Sequence, residues 1–283
     1  MQSTKQILGS VIMAGLIFFR MEIESSSRPL PSGAKVTFEA VRSTVSFKEP
    51  IFVQLTVKNQ LAAPISFDLG LNRKSNIRFS IMDESGRSFE SQKSSDQGFG
   101  RIGRITLQAG QTYTQSLLLN EWYQPQNIGL LTVNASLVSP IVGSSQGELL
   151  DVERTSKFEV MITARNPKSL SETCERLRTI ALGTNNAAEE MEASLALSFV
   201  IDPVAIPFLS EVLDKGAFSA QQNAAIGLGR IADPSSAEVL LKKLDDADPD
   251  LAPVIRSSLA ALKASLTDRA LIAKIDQALG RSK

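Results

Sequence analysis

Three aspartates near the end of the chain have a spacing that could bind calcium. Asp246, Asp248 and Asp250 form the D-x-D-x-D pattern of a calcium loop. Such a loop also needs Gly at its sixth position and Glu at its twelfth, where this chain has Leu251 and Ser257. We therefore interpret the cluster as an Asp-Pro-Asp cap between two helices, and we expect no metal site.

Two other short patterns match a catalytic or a cofactor motif in residue types and spacing, but not in the surrounding sequence. Residues 98–103 form a G-x-G-x-x-G string, but a polar loop precedes it and a predicted strand follows it. A dinucleotide site requires a strand before the string and a helix after it. Ser32 and Lys35 match the Ser-x-x-Lys of serine hydrolases, without the later motifs that complete such a site. We expect neither a cofactor nor a Ser-Lys active site.

The composition removes most side-chain catalysis. The chain has no histidine and one cysteine, Cys174. Histidine-based acid–base chemistry, Ser-His-Asp and Cys-His nucleophiles and zinc sites with nitrogen and sulfur ligands are therefore excluded. Cys174 shares a helical face with Leu170, Leu177 and Ala181, which predicts a buried structural thiol. We expect a protein that is not an enzyme.

The charge balance argues against a nucleic-acid partner. The 30 basic and 30 acidic residues cancel, and from Pro167 onward 13 basic residues stand against 16 acidic ones. A protein that binds a phosphate backbone needs a basic excess, which neither part of the chain has. We expect protein partners instead.

The N-terminal segment has the pattern of an export signal. Lys5 precedes the apolar run Ile7–Phe19, and a polar stretch follows. The run is short for a membrane span, which needs about 20 residues, but fits a secretory signal. We predict a signal peptide or membrane anchor in residues 1–20, a linker in 21–33, and a periplasmic, secreted or anchored protein. A buried helix of a cytoplasmic protein is the alternative.

Between residues 34 and 164 the hydrophobic pattern has a period of two. Short runs rich in Val, Ile, Phe and Thr alternate with turns that contain Gly, Pro, Asn and Asp. Such runs predict seven to nine strands of an all-β, antiparallel sandwich. Trp122 follows one of these strands, and we expect it to fill the core where the chain crosses over.

After residue 164 the period becomes helical and the sequence repeats. Residues 193–213 and 224–244 align at a distance of 31 residues, with Asp202-Pro203 matched by Asp233-Pro234. A fixed period of helical pairs predicts an all-α solenoid, in which each unit buries its apolar face against its neighbours. Leu228 lies at the centre of the middle repeat, and we expect it to be buried.

Several side chains are suited to cap these helices. The two Asp-Pro pairs provide an N-cap followed by Pro at the first helical position. We expect three further starts at hydroxyl residues, which are Ser169 with Glu172 as a capping box, Ser219 with Gln222 likewise, and Thr267.

Both regions resemble known families. The strand and turn order from Glu49 to Val133, including FSIMDESGR and TLQAGQTY, resembles bacterial immunoglobulin-like modules and is also similar to intracellular proteinase inhibitor domains. The stretch GLGRIADPSSAEVLLKKLDDADPDL is similar to HEAT-like repeats of the phycobilisome-lyase kind. The resemblance implies an immunoglobulin-like sandwich in residues 34–164 and a HEAT-like solenoid in residues 165–283.

Both modules offer binding surfaces, so we predict an exported protein-binding or scaffold protein. Two alternatives stay open. The first is a proteinase inhibitor that acts through a sandwich loop such as residues 96–104. The second is an enzyme accessory factor, by analogy with lyases that share the repeat.

We place the partner-binding face on the second helix of each pair. Repeat arrays usually bind along one layer of helices, and the apolar positions Leu209, Leu240 and Leu271 should face inward. The period of 31 then aligns charged residues into rows that could attract a partner with positive or donor groups. These candidate residues are Glu211, Asp214, Lys242, Asp245, Lys274 and Asp276. A solvated surface without a ligand is the alternative.

Overall fold

The structure is a computed structural model that describes residues 33–90, 103–143, 147–183 and 186–280. Within these ranges, β-strands occupy the N-terminal part and α-helices the C-terminal part. The order predicted from the two hydrophobic periods, a β-domain followed by helices, is confirmed.

The described residues of the N-terminal part contain eleven strands, two to four more than the sequence pattern predicts. The extra strands are short pieces between the longer ones. The strands are Ala34–Ala40 (β1), Thr44–Ser46 (β2), Phe52–Asn59 (β3), Ile65–Asp68 (β4), Ile77–Asp83 (β5), Ser88–Glu90 (β6), Arg104–Leu107 (β7), Thr112–Leu118 (β8), Gly129–Leu137 (β9), Val142–Gly143 (β10) and Thr155–Thr163 (β11).

These strands form three sheets. One has the order β1-β3-β8, a second has the order β2-β11-β9-β5-β6, and a small third one has the order β10-β4-β7. All pairs are antiparallel except β2 with β11, where Thr44 aligns with Met161. The prediction of a purely antiparallel region is wrong here. After β1 the chain crosses to the other sheet, and β2 then runs along β11 in the same direction before β3 returns.

The two larger sheets enclose one core. Buried side chains alternate along β1, β3, β5 and β9, as expected for strands with one face against a core. Phe38 of β1 meets Phe79 of β5 edge to face across the sheets, with ring centroids 6.3 Å apart. Trp122, in the connection between β8 and β9, packs against Phe79 with centroids 5.0 Å apart. The prediction that Trp122 fills the core at a crossover is confirmed.

Seven α-helices lie in the described residues of the C-terminal part. They are Pro167–Gly183 (α1), Ala187–Ser198 (α2), Ile206–Lys215 (α3), Phe218–Arg230 (α4), Pro234–Leu244 (α5), Ala252–Lys263 (α6) and Arg269–Gly280 (α7). A 3-10 turn, Pro203–Ala205, leads into α3. Helix α4 packs between α2 and α6, and α5 contacts both α3 and α7. Equivalent helices of successive pairs are therefore neighbours.

The close packing of α4 depends on small residues. A Cβ atom added at Gly227 would lie 2.8 Å from the Cα atom of Ser198 in α2, and one added at Gly229 would lie 2.7 Å from the Cβ atom of Ser258 in α6. Leu228, between the two glycines, is fully buried, as predicted.

The structure confirms the N-caps predicted at the two Asp-Pro pairs and contradicts those predicted at Ser and Thr residues. The carboxylate of Asp202 accepts a hydrogen bond from the Val204 N–H, and that of Asp233 accepts one from the Ser235 N–H. Both were predicted as N-caps.

At the other three starts a different residue has the position that the cap requires. Asn166 caps α1 by accepting from Lys168 and Ser169, so Ser169 lies inside the helix. Asp268 caps α7 by accepting from Ala270 and Leu271, in place of the predicted Thr267. Helix α4 begins before the predicted Ser219, and its N-cap, Ala217, has no side-chain cap bond.

None of the helices in the described ranges combines the length and the hydropathy needed to cross a membrane. The predicted export segment and almost all of the predicted linker lie outside the described residues.

Candidate binding surfaces

The predicted partner-binding residues lie on α3, α5 and α7 or directly after them. Glu211 and Asp214 belong to α3, and Lys274 and Asp276 belong to α7. Lys242 is in the last turn of α5, which Asp245 follows. We call these six residues the second-helix surface. Their helices bury Leu209, Leu240 and Leu271, as the repeat alignment predicts.

Lysines of neighbouring helices already balance part of this surface. The carboxylate of Asp214 lies 3.5 Å from the Lys243 ammonium of α5, and that of Asp276 pairs with Lys263 of α6. Among the described residues no ion pair involves Asp245. In the predicted row of three aspartates, Asp214 and Asp276 are therefore paired with lysines, and Asp245 is in no ion pair of the described residues.

Glu211 belongs to a separate ion-pair group. It accepts a hydrogen bond from the Lys215 ammonium at 3.0 Å and lies 3.2 Å from the Arg178 guanidinium of α1. The bond from Lys215, followed by the charges of Arg178 and Lys215, lowers the pKa of Glu211, although burial acts in the opposite direction. Glu211 thus ties α1 to α3 and stays ionised.

A second polar group, which the sequence analysis does not predict, joins the β-region to the helices. At its centre is Glu49, whose side chain is 1% exposed. Its carboxylate accepts bonds from the Ser46 N–H at 3.1 Å and the Arg42 guanidinium at 2.8 Å on the β side. On the helical side the hydroxyl of Ser169 donates to it, and the Thr173 hydroxyl lies 3.4 Å away.

These partners keep Glu49 ionised despite its burial. Burial raises the pKa of Glu49, but the hydrogen bonds from Ser169 and Ser46 and the charge of Arg42 outweigh it and lower that pKa below its ordinary value. Ser169 lies inside α1, which Asn166 caps, and its hydroxyl donates to Glu49 instead.

Asp202 is the second buried carboxylate of the junction, also with a 1% exposed side chain. Arg165 donates to it through two nitrogens, at 2.6 and 2.8 Å, which is the bidentate geometry of a strong pair. The Lys48 ammonium lies 3.6 Å away. Burial raises the pKa of Asp202, and the bonds from Arg165 and Val204 with the charges of Arg165 and Lys48 lower it further than burial raises it.

Apolar contacts complete this junction. Leu118, at the end of β8, is buried in the helical core, and Phe52 of β3 packs against the same core. Cys174 of α1 is fully buried there, as predicted, and burial together with the charges of Asp202 and Glu49 raises its pKa to about 12. The thiol is therefore protonated and structural.

A cavity lies beside this junction. It has a volume of about 610 Å³ and runs between the β-region and α1. Its charged lining residues are Arg42, Glu172 and Arg176, with apolar walls from Val41 and Phe52. A cleft of this size could hold a short peptide or a small molecule.

The D-x-D-x-D cluster forms a turn, and the prediction that it caps a helix is wrong, because the N-cap of α6 is Leu251 and no side chain makes a cap hydrogen bond there. The carboxylate of Asp248 accepts a hydrogen bond from the Asp250 N–H at 2.8 Å, and all three aspartates are exposed. In the described ranges no group of three or more potential ligands could hold a metal ion.

Two other predicted features lie outside the described residues, apart from their last residues. These are the G-x-G-x-x-G string at 98–103 and the inhibitor loop at 96–104.

Sequence reasoning missed the junction because its pairs are far apart in the chain. Glu49 and Ser169 are 120 residues apart, and Arg165 and Asp202 are 37 apart. One signal was present, since Lys48-Glu49-Pro50 puts two charges in a tight turn between two apolar runs. Lys48 has a φ of 74°, an uncommon conformation for a residue with a side chain.

Several solved structures are similar to part of the chain, and a search of curated proteins finds no match. The CARDB domain of a Pyrococcus furiosus protein has 12% identity, covers 46% of this chain and 87% of that one, and has a TM-score of 0.26. A putative ApaA protein from Bordetella pertussis has 16% identity, coverages of 46% and 91%, and a TM-score of 0.26. A β-glucosidase from Listeria innocua has 17% identity, coverages of 47% and 17%, and a TM-score of 0.27.

The family comparison concerns the β-region. Residues 42–162, which are less than half of the chain and run from just before β2 almost to the end of β11, match the model of the family described as flagellar collar protein C, N-terminal domain.

Proposed function

We propose that the chain is a non-enzymatic structural protein of the bacterial cell envelope, exported or anchored by its N-terminus, that holds protein partners in an assembly of the flagellar collar kind. The observation that carries this proposal is the family match over residues 42–162. The match spans ten of the eleven strands, so it concerns the β-region as a folded unit.

In this proposal the β-region is an immunoglobulin-like module and the helical region is a HEAT-like solenoid. The repeat of 31 residues supports the solenoid, as does the packing of α2, α4 and α6 in one layer and of α3, α5 and α7 in another. Asp202 and Asp233, 31 residues apart, each accept a bond from the N–H two residues later, Asp202 at the 3-10 turn that leads into α3 and Asp233 at the start of α5.

The junction supports a scaffold role. Two buried carboxylates fix the helices against the β-region. Glu49 accepts bonds from Arg42 and Ser169. Asp202 pairs with Lys48 of the β-region and with Arg165, which connects the two regions. Burying such charges is costly unless they are fully paired, so the geometry is specific. A partner held by either region would therefore keep a defined orientation to the other.

The second-helix surface is the proposed site for a partner. It presents acidic and basic groups side by side on a net-acidic region, which favours a partner with complementary charges. No cofactor or nucleic acid enters this proposal.

Electron cryotomography tests the proposed function. Cells that lack the gene should lose density from the collar around the flagellum, and the full-length gene should restore it. Residues 1–33 fused to a reporter that is active only outside the cytoplasm should give activity. Unchanged collar density together with a silent reporter would contradict the proposal.

A further inference from the structure

The cavity between the β-region and α1 adjoins the outer face of the β1-β3-β8 sheet. Phe52 of β3 is in register with Leu118 of β8, and the N–H of Val41, directly after β1, donates to the Phe52 carbonyl at 2.9 Å. Opposite residues of neighbouring antiparallel strands share a face, so these three side chains form one apolar row. We call the cavity that Val41, Arg42 and Arg176 line the junction cleft.

The helices cover two members of this row and leave the third one open. Leu118 is buried in the helical core, and Phe52 packs against the same core. Val41 is 56% exposed and lines the junction cleft together with Phe52. Single exposed apolar residues are common at protein surfaces, but this one continues a covered row at the wall of a cavity. The cleft therefore has an apolar wall that a further apolar side chain would cover.

The junction cleft has cations from both regions of the chain. Arg42 follows β1, Arg176 belongs to α1, and both line the cleft. One terminal nitrogen of Arg42 donates to the buried carboxylate of Glu49 at 2.8 Å. A guanidinium has five N–H groups, and no described residue accepts a bond from the others. Both arginines thus have donors available to a ligand.

The charge of Arg176 is not balanced by the described residues around the cleft. Arg42 is paired with Glu49. Glu172, the acidic residue that lines the cleft, lies 3.9 Å from the Lys168 ammonium. Among the described residues no ion pair includes Arg176. The junction cleft therefore combines an apolar wall with one surplus positive charge, which complements a ligand that has a carboxylate next to an apolar group.

The exposure of the lining residues favours a segment of a protein over a small molecule. The side chains of Arg42 and Glu172 are 46% and 68% exposed. A small-molecule site normally buries most of its ligand, which a cleft with such exposed walls does not do. A peptide segment fits better, because its remaining residues make contacts outside the cleft.

We propose that the junction cleft binds an acidic segment of a partner protein. An apolar side chain of this segment packs against Val41, and a neighbouring carboxylate pairs with Arg176 and with the spare donors of Arg42. The segment would touch the β-region and α1 together. This inference goes beyond the proposed function, because it concerns a surface other than the second-helix surface. Its test uses purified protein, so either proposal can fail alone.

The probe is a phage library of random twelve-residue peptides, selected on the full-length protein. We expect enriched peptides that share an Asp or Glu close to a large apolar residue. A selected peptide is then synthesised with a fluorescent label, and its dissociation constant is measured by fluorescence anisotropy. A second peptide, with Lys in place of the acidic residue, serves for the charge test.

A charge reversal tests the pair with Arg176. Arg176→Glu should weaken binding of the acidic peptide at least about tenfold, because an attraction becomes a repulsion. The same variant should bind the Lys peptide more tightly than the wild type does. Arg269→Glu on α7 is the matched control, since Arg269 is exposed and in no ion pair of the described residues, and its binding should stay within about twofold.

A second substitution tests the apolar wall. Val41→Ser should weaken binding of the acidic peptide about fivefold, because it removes apolar area that the peptide covers. Val138 is 51% exposed and does not line the cleft, so Val138→Ser is the matched control and should bind like the wild type. Circular-dichroism melting shows that each variant folds.

Any of three results would overturn the proposal. The first is a selection that enriches no peptides, or only peptides without acidic residues. The second is a selected peptide that binds Arg176→Glu or Val41→Ser as tightly as the wild type, which would place it elsewhere on the protein. The third is a dimer in sedimentation that Arg176→Glu converts to monomer, which would assign the cleft to a second copy of the chain.

Discussion

At the residue scale, two carboxylates with almost no exposure hold the two regions together. Glu49 and Asp202 are each bound by several donors, and in both the pKa is lower than its ordinary value. A carboxylate with a lowered folded-state pKa stabilises the fold at pH values above its unfolded pKa. This contribution decreases as the pH falls from the ordinary values, 4.5 for Glu and 3.8 for Asp, through the lower folded-state values.

The first prediction concerns Glu49→Gln. At neutral pH the variant should lose about 1–3 kcal/mol of unfolding free energy, because Arg42 and the two hydroxyls lose a charged acceptor. Below the folded-state pKa the wild-type carboxyl is also neutral, so the difference should shrink with acidification. Urea titrations across the acid range measure it. Glu172→Gln, an exposed control on α1, should stay within about 0.5 kcal/mol at all pH values. A difference that does not depend on pH would contradict the assignment.

The second prediction concerns Leu228, which the sequence analysis placed at the centre of the repeat and the structure shows to be buried. Leu228→Ala should cost about 2–5 kcal/mol, because it removes methyl groups from a packed core and leaves a cavity. Ile226 is in the same helix and 38% exposed, so Ile226→Ala is the matched control and should cost less than about 1 kcal/mol. Similar shifts in denaturant midpoint for both variants would mean that the helix register is wrong.

For these junction residues, the sequence predicted contacts with neighbours in the chain but not contacts with distant segments. Asp202 was predicted as a helix cap because Asp-Pro is a local pattern, and it does cap the Val204 N–H. Its pairs with Arg165 and Lys48 could not be predicted, because both depend on how distant segments meet. Ser169 shows the opposite case, since Asn166 caps α1 three residues earlier and the Ser169 hydroxyl donates to a buried carboxylate 120 residues away.

At the element scale, hydrophobic periodicity predicted the types and the order of the elements, whereas their pairing needed the structure. The 31-residue repeat predicted the start of α5 at Asp233-Pro234, whereas at Asp202-Pro203 the structure has a 3-10 turn and α3 begins three residues later, at Ile206. The parallel pairing of β2 with β11 has no local pattern, because β2 is only three residues long and its partner is far along the chain. The junction cleft could not be predicted either, because its walls come from segments far apart in the chain.

The third prediction tests the contact between α4 and α6. In an exposed helix, Gly→Ala would stabilise by about 1 kcal/mol. At Gly229 the new methyl group would meet the Ser258 Cβ and backbone atoms at 3.0 Å or less, so Gly229→Ala should instead destabilise by about 1–3 kcal/mol. Gly280 has nothing within 4 Å of an added Cβ and is the control, with a shift near zero or slightly stabilising. Thermal melting of both variants measures this, and a stabilised Gly229→Ala would refute the close contact.

At the scale of the whole molecule, the two regions share polar and apolar contacts across their junction. The change of period near Asn166 predicted a domain boundary there, and that boundary stays a prediction. Periodicity reports local structure only, so it could not predict that Leu118 of the β-region belongs to the helical core.

The fourth prediction is that residues 166–283 fold without the β-region but are less stable. Expressed alone they should give a helical circular-dichroism spectrum and one cooperative transition. That transition should occur at a lower temperature than in the full chain, because the helical core loses Leu118 and Phe52 and α1 loses its bond to Glu49. A strand-type spectrum, or no transition, would refute a boundary at this position.

The central claim is that the chain binds protein partners through the second-helix surface. The most direct measurement is recovery of partners by affinity purification from the envelope fraction, with quantitative mass spectrometry. The wild type is compared with Asp214→Ser, Asp245→Ser and Asp276→Ser combined, and with Glu238→Ser as an exposed acidic control on α5. All variants should melt like the wild type, because these positions are exposed. We expect partner recovery to fall severalfold only in the triple variant, since it alone removes the acidic row. Undiminished recovery in a folded triple variant would contradict the claim and leave a solvated surface.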